Sequence, residues 1–186
     1  ANSSLCKGSV GEFKITVYPL PKYDIASQSP TTCNGTDGWI EFKNLGLNVT
    51  KYLVKYKKDG TDVEKTINVQ GSSVKVTGLS KGSYTEIKIA AFGSECFVGT
   101  TDITLVDPPI PNVPVISSNS PVCIGENLIL KVDNADADIM SWKWTGPSCS
   151  GGVVPSSLKE PTPKPMQYCM AGEYTLQVER NKCYAE

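Results

Sequence analysis

Polar and apolar residues alternate along most of this chain. Gly11-Glu12-Phe13-Lys14-Ile15-Thr16-Val17-Tyr18 alternates over most of its length, and so in the main do Trp39-Ile40-Glu41-Phe42, Tyr52-Leu53-Val54-Lys55-Tyr56, and residues 63–69, 73–79 and 84–91. A period of two sends successive side chains to opposite faces of a strand, so each run predicts a half-buried β-strand. Residues 97–106, 127–132, 139–145 and 174–178 extend the series into the second half. Glycine, proline and Asp59-Gly60 punctuate the runs as turn residues do. No window sustains a 3.6-residue period, so almost no helix is expected.

One pattern occurs twice. Gly82-Ser83-Tyr84-Thr85 opens an alternating strand that is followed by Cys96. Gly172-Glu173-Tyr174-Thr175 opens another, followed by Cys183. Upstream lie matching openers, Ser29-Pro30-Thr31-Thr32-Cys33-Asn34-Gly35 and Ser120-Pro121-Val122-Cys123-Ile124-Gly125. Opener and closing cysteine are 63 residues apart in the first copy and 60 in the second. Such duplication predicts tandem modules. The short strands and regular turn signals predict an all-β fold, with tandem Ig-like or fibronectin-III-like β-sandwiches joined by a proline-rich linker. Four prolines between Asp107 and Pro114 make that linker a stiff, extended spacer. The expected division is 1–22, the closing strand of a preceding module plus linker; 23–107, the first sandwich; and 108–186, a second sandwich lacking its last strand.

Composition narrows the function more than it defines it. Across 186 residues there are 18 basic and 19 acidic side chains, for a net charge of −1. That balance provides no electrostatic footprint for nucleic acid. No apolar run is long enough to insert in a membrane. Histidine is absent, so neither Ser-His nor Cys-His nucleophilic catalysis is available, and no enzyme is expected.

Seven widely spaced cysteines without a Cys-x-x-Cys pair fit structural disulfides in an oxidising, extracellular compartment. Cys123, Trp144 and Cys183 follow the order of an Ig-like domain, where a buried Trp packs on an inter-sheet disulfide. The expected pairs are therefore Cys33–Cys96 and Cys123–Cys183, with Cys149–Cys169 as a local bridge and Cys6 left over. Tyr174 stands nine residues before Cys183 rather than the two of a tyrosine corner, so the match is architectural. Asp133, Asp136 and Asp138 place hard oxygen donors in one loop, a weak candidate for Ca²⁺, although the loop lacks the glycine and distal Glu of an EF-hand. No other cofactor is expected. Trp39, Tyr52 and Tyr56 are candidate sugar-stacking aromatics, and each fits an ordinary core position equally well.

The first module resembles the repeats of SprB-type gliding-motility adhesins and related giant tandem-repeat surface proteins of Bacteroidota. The resemblance is carried by Pro30-Thr31-Thr32-Cys33-Asn34-Gly35-Thr36-Asp37-Gly38-Trp39-Ile40, by Gly78-Leu79-Ser80-Lys81-Gly82-Ser83-Tyr84-Thr85, and by Cys96. The second module is similar to the Ig-like modules that accompany such repeats, through residues 118–126, 144–147 and 171–175. The resemblance implies a structural or adhesive segment of a protein secreted by the type IX system and displayed on the cell surface, acting in gliding motility or attachment. Its implied partners are neighbouring modules of the same long chain, with surface polysaccharide or a substratum beyond them. The alternative is an accessory polysaccharide- or calcium-binding module of an extracellular protein.

Overall fold

The structure, a computed structural model, describes residues 11, 13–15, 17–46, 49–147, 150 and 152–185. Among these there is no α-helix, only one 3₁₀ turn at Tyr168–Met170.

The first half contains β1 (Asp24–Gln28), β2 (Gly38–Lys43), β3 (Lys51–Lys58), β4 (Thr61–Asn68), β5 (Val74–Leu79), β6 (Gly82–Ala91), β7 (Val98–Gly99) and β8 (Ile103–Leu105). One sheet has the order β1-β2-β5; the other runs β4-β3-β6-β7, with β8 also on β6. The alternation decides what lies between them. Ile40, Phe42, Tyr52, Val54, Tyr56, Val74, Val76, Tyr84, Ile87 and Ile89 all turn inward and form one core. Their polar neighbours turn out, where Lys55 pairs with Glu64 and Lys57 with Glu86.

The second half repeats the plan with shorter strands. These are β9 (Val115–Ser118), β10 (Asn127–Leu128), β11 (Leu130–Asp133), β12 (Ser141–Thr145), β13 (Lys164–Pro165), β14 (Thr175–Arg180) and β15 (Cys183–Ala185). β9 pairs with β11, and β10 pairs with β13. Opposite them runs β12-β14-β15. Where the first module has the eight-residue β4, the second has a single bridge between Trp144 and Ser156. Pro147, Pro155, Pro161, Pro163 and Pro165 lack the N–H groups that a longer ladder there would need. A second, separate core gathers Leu128, Leu130, Val132, Trp144, Met170, Leu176 and Val178. The chain is thus all-β, with Ig- and fibronectin-III-like sandwiches in tandem.

The repeated Gly-x-Tyr pattern builds the same device in both modules. Tyr84 Oη donates to the carbonyl of Ser80 at 2.8 Å, and Tyr174 Oη donates to the carbonyl of Met170 at 2.6 Å. Each bond spans four residues backward, which is the geometry of a tyrosine corner. The glycines two places earlier are conformational twins, with φ of 147° at Gly82 and 148° at Gly172. A side chain at either would be strained in backbone and blocked in space, by the Asp59 carboxylate at 2.7 Å or by Pro147 at 2.8 Å. The spacing argument against a corner therefore fails. The corner is set by the backward reach of the tyrosine and does not depend on where the next cysteine falls.

Two expectations about strands also change. The described residues of 11–18 form no strand, and Phe13, Ile15 and Val17 are exposed. Cys183–Ala185 does close onto β14, pairing Arg180 with Cys183 and Val178 with Ala185, so the edge after Tyr174 is partly filled.

Candidate functional site

The most heavily constrained polar region is the joint between the two sandwiches. Antiparallel pairing brings the β1–β2 loop (29–37), the turn at 80–82 and the end of β8 to one pole of the first module. The β11–β12 loop (134–140) and the β14–β15 turn come to the facing pole of the second. The linker 107–114 crosses between them.

Three side chains hold the linker. Asp107 accepts from Lys81 Nζ at 2.7 Å and from the Asn34 N–H at 3.2 Å, fixing the linker's start to the first module. The Lys81 contact, followed by the Asn34 N–H, holds the Asp107 carboxyl below its usual range. Arg180, at the end of β14, donates to the carbonyls of Pro109 and Ile110 at 3.1 Å each. The same guanidinium reaches Asp138 at 2.8 Å and Asp136 at 3.3 Å. Asp136 also accepts from the N–H and side-chain amide of Asn112, at 3.0 and 2.8 Å. These amide donors first, and Arg180 after them, keep the Asp136 carboxyl low. A proline-rich segment has carbonyls but few N–H groups, so it needs outside donors. One planar guanidinium has five of them and serves both the linker and two carboxylates.

A covalent bond completes the joint. Cys33 and Cys183 form a disulfide with Cα atoms 5.1 Å apart and a sequence separation of 150. The Cys33 N–H donates to the carbonyl of Asn181 at 2.9 Å, tying the same two loops through the backbone. Asp37 accepts from the N–H and hydroxyl of Thr31, and the Gly35 N–H donates to the Thr32 carbonyl at 2.9 Å, so a turn at Thr32–Gly35 presents Cys33 to the second module.

This arrangement corrects the expected pairings. Cys33 bonds Cys183 rather than Cys96, and Cys183 is not bonded to Cys123. Cys96 and Cys123 are free thiols. The physical reason is position. Within each sandwich the opener loop and the β6–β7 or β14–β15 turn lie at opposite poles, whereas across the joint Cys33 and Cys183 face one another. Trp144 is fully buried, as expected, but its indole N–H donates to the Lys159 carbonyl at 3.1 Å, and the expected Cys123–Cys183 bridge is not formed. Cys169 is disulfide-bonded, while Cys149 and Cys6 lie outside the described residues.

The Ca²⁺ candidates are drawn apart. Asp136 and Asp138 face Arg180, and Asp133 accepts from the Ser117 hydroxyl at 3.2 Å. Among the described residues no three acidic, cysteine or histidine groups converge as a metal site would require. Tyr52 and Tyr56 belong to the core, and Trp39 lies beneath the Lys75 ammonium, 3.8 Å from its ring centre. These aromatics do not form a sugar platform. Arg180 was missed in the sequence although a signal existed, for it is the only arginine among 18 basic residues.

No known protein family and no curated protein matches the chain. Two solved structures cover most of it. A two-domain fibronectin type-III segment of chicken tenascin is 16% identical, with a TM-score of 0.37, and covers 89% of this chain and 94% of its own. The fibronectin(III)-like modules of Clostridium thermocellum CbhA are 13% identical, with a TM-score of 0.30, and cover 88% and 90%.

Proposed function

We propose that the chain is a tension-carrying segment of a secreted bacterial tandem-repeat adhesin, displayed at the cell surface and acting in gliding or attachment. The sandwich pair and its disulfide suit a structural extracellular role; the adhesin and motility assignment rests on the sequence resemblance. The observation that carries the mechanical reading is the Cys33–Cys183 bond.

Its effect follows from connectivity. A pull on the two ends of the chain travels to Cys33, crosses the disulfide and leaves through Cys183. Nearly everything between, including β2 to β14, lies outside the force path. Only β1 and β15 remain in line. The segment thus behaves as a short inextensible link, while Arg180 and Asp107 hold the two poles in register.

Single-molecule stretching from both ends tests this. The oxidised chain should show no unfolding extension from residues 34–182. Reduction should release about 500 Å of hidden length, at roughly 3.3–3.6 Å per residue, in two steps. Extension of that size before reduction would show that the disulfide does not shield the modules.

A further inference from the structure

The free thiols occupy the same places as the bonded ones. Cys33 lies five residues after β1 ends, in the opener loop that follows Pro30. Cys123 lies five residues after β9 ends, in the opener loop that follows Pro121. Cys183 begins the strand after the β14 turn, and Cys96 stands just before β7, after the β6 turn. The Cys33–Cys183 staple joins the opener cysteine of one module to the closing-strand cysteine of the next. Cys123 is thus an opener half without its closing partner, and Cys96 is a closing half without its opener.

Their poles agree. β9 pairs Val115 with Asp133 at the joint and runs away from it, so Cys123 sits at the far end of the second module. β6 begins beside Leu105 at the joint and ends at Ala91, so Cys96 sits at the far end of the first. The surroundings are complementary as well. A groove of about 330 Å³ reaches Val122, the neighbour of Cys123, and is lined by Ser118, Ser120 and Tyr174 as well as by Leu128, Met166 and Met170. Four residues before Cys96, Phe92 projects from the β6 turn, 57% exposed. Where the observed joint uses Arg180 and carboxylates, these two poles offer an aromatic knob and a groove of mixed polar and apolar lining.

We propose that Cys96 and Cys123 are the two halves of a second staple, formed head to tail with another module pair of this same kind, with Phe92 seated in the Cys123 groove. The contact is heterologous, so it propagates along an array instead of closing into a dimer. The chemistry is thiol–disulfide exchange. The Cys123 thiolate attacks a disulfide oxidant such as oxidised glutathione and expels one thiol. The neighbour's Cys96 thiolate then displaces the second. One S–S bond forms, and the oxidant takes up the two electrons and appears as two thiols.

This inference rests on the staple geometry used above but can fail separately, because the force experiment reads only Cys33–Cys183. The test uses the full chain carrying Cys6→Ser, at roughly the millimolar concentration that a tethered neighbour would impose, in oxidised and reduced glutathione. Disulfide mapping by mass spectrometry should find the intermolecular Cys96–Cys123 link at least about tenfold above either symmetric link. Phe92→Ala should slow that link several-fold without shifting thermal unfolding. Links in random proportion, symmetric links in excess, or no intermolecular link would overturn the staple. An unchanged rate in Phe92→Ala would overturn the seating of Phe92.

Discussion

At the scale of single residues, the two tyrosines and their glycines matter most. Tyr84 buries its ring in the first core, Tyr174 packs a partly buried ring against the second, and each uses its hydroxyl to satisfy a backbone carbonyl. Tyr84→Phe and Tyr174→Phe should each cost about 1–2 kcal/mol, because a partly buried carbonyl loses its donor. Urea unfolding should show a lower midpoint with an unchanged m-value for the affected module. Gly82→Ala should cost more, about 2–3 kcal/mol, since its φ of 147° admits side chains poorly and the new Cβ would meet the Asp59 carboxylate. That carboxylate already accepts from the Ser83 N–H at 2.8 Å, so it cannot withdraw without losing a bond.

At the scale of elements, the linker and β14 act together. Arg180→Met would keep a flexible apolar stem and remove all four of the polar contacts, leaving Asp136 and Asp138 without their cation. With the disulfide intact, each module should unfold as before. After reduction, small-angle scattering should show a broader distribution of inter-module angles than in the reduced parent. Arg180→Lys should rescue this only in part, because an ammonium lacks the planar fork. Acid should act at the same place. Asp107 and Asp136 both have folded pKa values below the usual carboxylate value, so their contribution is complete above about pH 4 and is lost as pH falls through the lowered values. The reduced protein should therefore loosen at the joint in acid, again by scattering, while neutral and mildly alkaline pH leave it unchanged.

At the scale of the whole molecule, two weakly extended sandwiches become one mechanical unit through a single bond. Cys33→Ser or Cys183→Ser should convert the shielded link into two extensible modules without melting either core. Stretching should give the full hidden length in the absence of reductant. Circular dichroism of Cys33→Ser should remain that of the parent, because Cys33 is only half-buried and belongs to neither core; Cys183 is 1% exposed, so Cys183→Ser should in addition lower the stability of its module.

Much of this architecture was legible in the chain. The period of two marked β2 to β8, β10 to β12 and β14, since each such strand buries one face and wets the other, but it did not mark β1, β9, β13 or β15. The duplicated Gly-x-Tyr pattern marked the modules. The missing β-ladder around Ser156 follows from a proline-rich stretch that cannot donate. What the sequence left open was every partnership between distant loops. Cys33 had several possible partners at comparable loop-closure cost, because that cost grows only with the logarithm of separation. The choice of Cys183 depends on which poles face each other once two sandwiches stand end to end. The same holds for Asp136 and Asp138, which with Asp133 made a weak cation-site candidate from spacing alone. The tertiary structure filled that site with Arg180, 42 residues from Asp138 along the chain and 2.8 Å away in space.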